Sequence, residues 1–141
     1  MRSILLAGLT LAALPLGACA TGPVEVHNLG AQAPQQLSPG MTRRYASGTK
    51  STLAIYELRR GVRVASHYHD SEQVTYVQSG RLRFVIDGQT YNIGPGQMIV
   101  IPQYAQHSIE ALENTVEYDF FSPSRHKWTE DRDENGPLPR D

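Results

Sequence analysis

The chain has 141 residues, enough for one domain with appendages, and its 40% hydrophobic and 19% charged content suits a packed core. Thirteen basic residues against fourteen acidic give a formal charge of −1, which argues against a partner held through nucleic-acid phosphates. The aromatic residues run from Tyr45 to Trp128, so the core is expected within that span.

In chain order, Met1-Arg2 is a short positive start, and Ile4 to Leu16 is apolar with small residues interspersed. That run is too short to span a bilayer, which takes about 20 apolar residues, so residues 1–18 read as a signal peptide. It ends in Leu16-Gly17-Ala18-Cys19, which resembles a bacterial lipoprotein cleavage box. Cys19 is the only cysteine and cannot form an internal disulfide. The expectation is lipidation at Cys19 and a membrane anchor facing the periplasm, at the outer membrane; the alternative is an ordinary secretory signal with a coincidental cysteine. Cleavage removes Arg2 and leaves a charge of −2. Residues 19–41 carry Pro23, Pro34 and Pro39 with few large apolar groups, so they read as a flexible tether, with His27 solvated. Residues 129–141 are highly charged, carry Pro137 and Pro139, and read as a frayed C-terminal tail.

Between tether and tail, residues 42–128 hold short β-type runs set off by turn residues. The expected strands are 52–58, 62–69, 73–78, 81–86, 90–93, 98–101, 107–112 and 115–121. Asp87-Gly88 marks a hairpin and Gly94-Pro95-Gly96 a turn. No stretch has convincing helical periodicity. Many short strands without helices predict an all-β sandwich or barrel.

Side chains i and i+2 share a face of a strand, so His67 and His69 project together and can chelate one ion. The alternative is a surface pair, or one histidine with a packing role. Gly61 stands before this pair, Gln73 after it, and Gly80 beyond; Gly96, Pro102 and His107 follow downstream. In order and separation these residues resemble the two sequence motifs of the cupin superfamily, over roughly residues 50–125. The resemblance implies a double-stranded β-helix, or jelly-roll barrel. It also implies a divalent transition metal (Mn, Fe, Ni, Zn or Cu) on His67, His69, Gln73 and His107. The oxygen ligand is more often Glu in such proteins, and Glu72 is the rival here; strand parity favours Gln73. An all-neutral ligand set would leave the full charge on the ion. Tyr104 stands where glycine is common, and Ala111 where asparagine is common.

The string Asp119-Phe-Phe-Ser-Pro-Ser-Arg125 is similar to the one that closes a group of small cupins, including those that open the ring of 4,5-unsaturated uronic acids. By position, that resemblance makes Asp119, Phe121 and Arg125 the catalytic residues: a proton shuttle, an apolar wall and a carboxylate clamp. His126-Lys127 depart from the acidic residues expected there. The bland alternative is an exposed acid, a core aromatic and a surface arginine. The leading functional expectation is an enzyme for a small anionic or hydroxylated substrate, by Lewis-acid tautomerisation or ring-opening of an unsaturated uronate. The alternatives are a quercetinase-like dioxygenase and a non-catalytic metal- or sugar-binding module. A homodimer through edge strands is a further expectation.

Overall fold

The computed structural model describes residues 22–125; residues 1–18, Cys19 and the tail at 129–141 lie outside the described residues. Among the described residues the only helix is a three-residue 3-10 turn, Leu29–Ala31, and the rest of the regular structure is β. The ten strands are β1 (Gln35–Ser38), β2 (Met41–Ser47), β3 (Thr52–Leu58), β4 (Arg63–His67), β5 (Glu72–Ser79), β6 (Leu82–Ile86), β7 (Gln89–Ile93), β8 (Met98–Ile101), β9 (His107–Ala111) and β10 (Thr115–Ser122). They pair antiparallel in two sheets, β1-β2-β3-β10-β5-β8 and β4-β9-β6-β7. This is the all-β architecture expected from the pattern of short strands, in the jelly-roll form that the cupin resemblance implies.

Alternation carries the fold. In β3, Thr52, Ala54, Tyr56 and Leu58 are buried, while Leu53 and Glu57 between them are exposed. In β6, Leu82 and Phe84 are fully buried, while Arg83 between them stays on the solvated side. The apolar core gathers Leu58, Val77, Leu82, Phe84, Ile93, Ile101, Ile109 and Ala111 between the sheets. Elsewhere the inner face of the larger sheet is polar: Thr52, Gln73, Thr75, Glu117 and Asp119 are all at most 2–3% exposed. Buried polar groups at this density are costly unless they bond to one another or to a ligand.

Two differences from the expected strands bear on the site. The first is at the N-terminal side, where no strand is expected before Thr52. Part of the segment read as a tether is structured: β1 pairs with β2, and β2 pairs with β3 along its whole length. Arg43 on β2 is buried, and its guanidinium donates to Gln35 Oε1 at 2.9 and 3.3 Å. The low apolar content of residues 35–47 hides these strands, because backbone pairing at a sheet edge needs little hydrophobic area. The second is in β4, which ends at His67. The register slips between Val64 and His67, with Val64 opposite Ile109 and His67 opposite His107. One extra residue on β4 makes a bulge, which turns His67 to face His107. His69 therefore lies past the strand, and simple strand parity does not describe how the two histidines come together.

Candidate metal centre

His67 closes β4, His69 sits in the following loop, and His107 opens β9. Their ring centroids are 4.3 Å (His67–His107), 5.0 Å (His69–His107) and 5.9 Å (His67–His69) apart. One ligand atom from each lies within 4.8 Å of the others. All three Nδ1 atoms face a backbone carbonyl two residues away in sequence: Ala65 at 2.9 Å, Ser71 at 2.8 Å and Ala105 at 2.8 Å. A carbonyl only accepts, so each Nδ1 carries the proton and each Nε2 keeps a lone pair. Such contacts fix the tautomer and ring orientation of metal-binding histidines.

Gln73, 2% exposed on β5, completes the cluster, whereas Glu72 beside it is exposed. Gln73 Nε2 donates to Thr75 Oγ1 at 2.9 Å and to Asp119 Oδ2 at 3.0 Å, which turns its Oε1 towards His69 Nε2 at 3.0 Å. That last contact sets an amide oxygen against an imidazole lone pair. Two acceptors at this distance repel unless a proton or a cation lies between them. Burial foremost, then the nearby Arg125 charge, hold His69 below its usual pKa, which disfavours the proton. His107 Nε2 is buried with no hydrogen-bond partner, and burial pushes its pKa down to about 4. An orphaned nitrogen and an acceptor facing an acceptor are the pattern that a divalent cation resolves, so the residues fit the metal that the sequence motifs imply. A carboxylate at position 73 could not play both parts, since it has no N–H for Asp119.

Asp119 lies on β10 opposite Thr75 of β5 and Ala54 of β3, with its side chain buried between the sheets. It accepts hydrogen bonds from Gln73 and from the Thr75 hydroxyl. Burial pushes its carboxyl up to about 7, against the lowering effect of those two bonds. Phe121 stands two residues on, its ring edge-on to His69 at 5.5 Å. Arg125, 8% exposed, lies over the Phe121 ring at 5.5 Å. Its backbone N–H donates to Thr52 Oγ1 at 2.9 Å, and Ser71 Oγ donates to the Pro123 carbonyl at 2.8 Å. The chain leaving β10 is thus tied to β3 and to the His69 loop. All seven residues expected at the site, other than Cys19, are brought together, and His67, His69, Gln73, Asp119, Phe121 and Arg125 line one cavity of about 430 Å³.

The cavity is lined as well by residues that the sequence did not place there, among them Arg43, Tyr56 and Glu117. Glu117 carries the same signal as Asp119 and Phe121, a place on the inward face of β10. Arg43 had no signal, because its strand was not foreseen.

A family model described as "Cupin domain" matches residues 54–120. KdgF from Halomonas sp. superposes with a TM-score of 0.67 at 26% identity, covering 70% of this chain and 94% of that one. An RmlC-like cupin from Shewanella frigidimarina superposes with a TM-score of 0.70 at 19% identity, over 75% of this chain and 96% of that one; this shows shared fold alone. Salicylate 1,2-dioxygenase from Pseudoaminobacter salicylatoxidans shares the fold at 22% identity and a TM-score of 0.59, with 63% of this chain matched to 28% of the enzyme. In sequence, "Polyketide synthase CurC" of Streptomyces cyaneus is 35% identical over 60 residues, 42% of this chain. The match spans 39% of the length of that curated relative.

Proposed function

Residues 54–120 form a cupin domain, and from that premise we propose a metal-dependent enzyme that opens or tautomerises the ring of a small unsaturated uronate-type sugar. The observation that carries the reading is the side chain of Gln73, which offers its oxygen to the histidine cluster and its NH2 group to Asp119. It couples a cation site to an acid that can move a proton. A divalent ion held by His67, His69, Gln73 and His107 would supply positive charge beside the substrate oxygens as they become negative. Arg125 takes the substrate carboxylate as a bidentate pair. Phe121 holds it in place and keeps water from that side. Asp119 takes the proton of the anomeric hydroxyl, the bond between ring oxygen and anomeric carbon breaks, and the electron pair passes to the ring oxygen as an enolate. The proton returns at C4, giving an open-chain aldehyde and ketone with no net gain or loss of atoms. The similarity of the Asp119–Arg125 string to that of uronate-opening cupins supports this substrate class.

The experiment is to load purified protein with Mn, Fe, Ni, Zn or Cu in turn and follow the chromophore of a 4,5-unsaturated uronate. We expect loss of absorbance with at least one metal. Asp119→Asn should then lower kcat by about 10²–10⁴-fold, within the range for general acid–base groups. Arg125→Lys should act mainly on KM, by about tenfold, since the bidentate geometry is lost. An unchanged chromophore with all five metals sinks the reaction.

The same reading puts the protein on the periplasmic side of a bacterial membrane, at the outer membrane, held by lipid at Cys19. The Leu16–Cys19 cleavage box supports this. Cys19→Ala should release the protein from the membrane fraction; membrane retention of that variant rules out the lipid anchor.

A further inference from the structure

The cavity does not end at the histidines. Two residues back along β10 from Asp119 stands Glu117, about 7 Å away by strand geometry. It pairs across the sheet with Tyr56 of β3, which pairs in turn with Arg43 of β2, and all three line the same cavity. Glu117 is 1% exposed, and its Oε2 is buried with no hydrogen-bond partner among the described residues. Arg43 and Tyr56 are also buried. An unsatisfied carboxyl oxygen in an interior costs roughly 1–3 kcal/mol, more if it is charged. Nothing in the apolar packing of the fold requires an acid here, since its neighbour across β5 is Val77.

From this row we infer that Glu117, with Tyr56 and Arg43, forms a second subsite that holds a ring hydroxyl of the substrate whose carboxylate and reacting atoms sit at Arg125 and the metal cluster. The inference rests on the functional reading above and extends it: the substrate is polyhydroxylated as well as anionic, and hydroxyls on the side away from the metal decide its binding. The chemistry of the row selects a hydroxyl. An ammonium group would face the Arg43 guanidinium. A second carboxylate would face Glu117 with Asp119 close by. A hydroxyl both donates and accepts, so it pairs with Glu117 in either protonation state. Burial foremost, and then the charge of Asp119, push the Glu117 carboxyl well above its usual range, which agrees with a group that works in its neutral, donating form.

The test is direct binding to the metal-loaded full chain, by calorimetry, of two acids on the same ring. One is galacturonate; the other is tetrahydropyran-2-carboxylate, which lacks its hydroxyls. We expect the wild type to prefer galacturonate by about tenfold, the value of one good hydrogen bond to a buried group. Glu117→Leu should bring the two affinities to within about twofold by weakening galacturonate alone, and Glu117→Gln, which keeps a donor and an acceptor, should retain part of the preference. Metal content, measured on the same samples, should be unchanged in both variants. No preference in the wild type, or the full wild-type preference in Glu117→Leu, overturns the subsite. The two readings fail separately. Absence of turnover with the preference intact removes the reaction and leaves the subsite. Turnover in Glu117→Leu with an unchanged KM removes the subsite and leaves the reaction.

Discussion

At the scale of single residues, the informative choice is an amide where a carboxylate is commoner. Gln73 is an acceptor on one side and a donor on the other, and the site uses both. Gln73→Glu is nearly isosteric, yet it would place a third acid among the buried Asp119 and Glu117. Buried like charges oppose ionisation and cost stability. The metal-free variant should therefore unfold at a lower temperature than metal-free wild type. Added divalent metal should then raise its melting temperature by more than it raises that of the wild type, because a cation offsets the added charge. Activity should fall, since Asp119 loses a donor that positions it. Differential scanning fluorimetry with and without chelator checks the first two outcomes; an equal metal-induced shift in both proteins would show that residue 73 does not touch the ion. That Gln73 and not Glu72 faces inward was legible from strand alternation, because β5 is regular across this point and one face is buried. The place of Glu117 was equally available from alternation in β10. What hides it is chemistry: an acid two residues from another reads as a solvated face until the strand is known to be central.

At the scale of elements, the glycines of the two motifs do different work. Gly80 ends β5 with φ +83°, and a Cβ there would lie 2.3 Å from the Asn114 carbonyl oxygen and 2.7 Å from Thr115 Cα. Backbone crosses backbone at this point, which joins the end of β5 to the start of β10. Gly61 has a similar φ of +85°, but nothing lies within 4 Å of its missing side chain. Gly61→Ala should therefore cost only the left-handed backbone penalty, about 1–2 kcal/mol. Gly80→Ala should cost more than that by at least about 2 kcal/mol, because the neighbouring strand must move. Chemical denaturation of both variants measures the difference, and equal losses would remove the claim that Gly80 is a packing constraint. Tyr104, where glycine is common, has φ +63°, so this chain accepts a strained residue in the loop whose N–H bonds the His69 carbonyl at 2.8 Å. Strands β3, β5, β6, β9 and β10 were legible because buried and more exposed residues alternate along them, and β4, β7 and β8 because turn residues bracket short β-type runs. The bulge in β4 was not, since an extra residue changes parity without changing composition. Strands β1 and β2 were not, because their sequence is polar and their pairing is carried by backbone.

At the scale of the whole molecule, the two faces of the six-stranded sheet differ in a way that composition conceals. Its inner face holds the acids and the site. Its outer face carries Leu53, Ile55, Val74, Tyr76, Met98, Val100, Tyr118 and Phe120, and five of these are 39–58% exposed. The register joins them across strands: Leu53 is opposite Phe120, Phe120 opposite Val74, and Val74 opposite Val100, while Tyr118 is opposite Tyr76 and Tyr76 opposite Met98. A continuous apolar face of this kind on a folded domain marks an interaction surface. A second copy is the occupant that such a face fits, because a two-fold axis through it sets apolar residues against their own kind without needing charge complementarity. Pairing by this face also leaves the cavity untouched, since the cavity opens on the other side of the sheet. The expected outcome, for protein freed of residues 1–18, is a dimer by light scattering at micromolar concentration. Met98→Lys combined with Phe120→Lys should give a monomer, because the two-fold axis brings four like charges into one apolar contact. The double variant should keep its metal and its affinity for galacturonate. A wild type that stays monomeric at high concentration excludes this face as a self-association surface, and a dimer that survives both lysines points instead to pairing through edge strands, of which β1 and β8 bound this sheet.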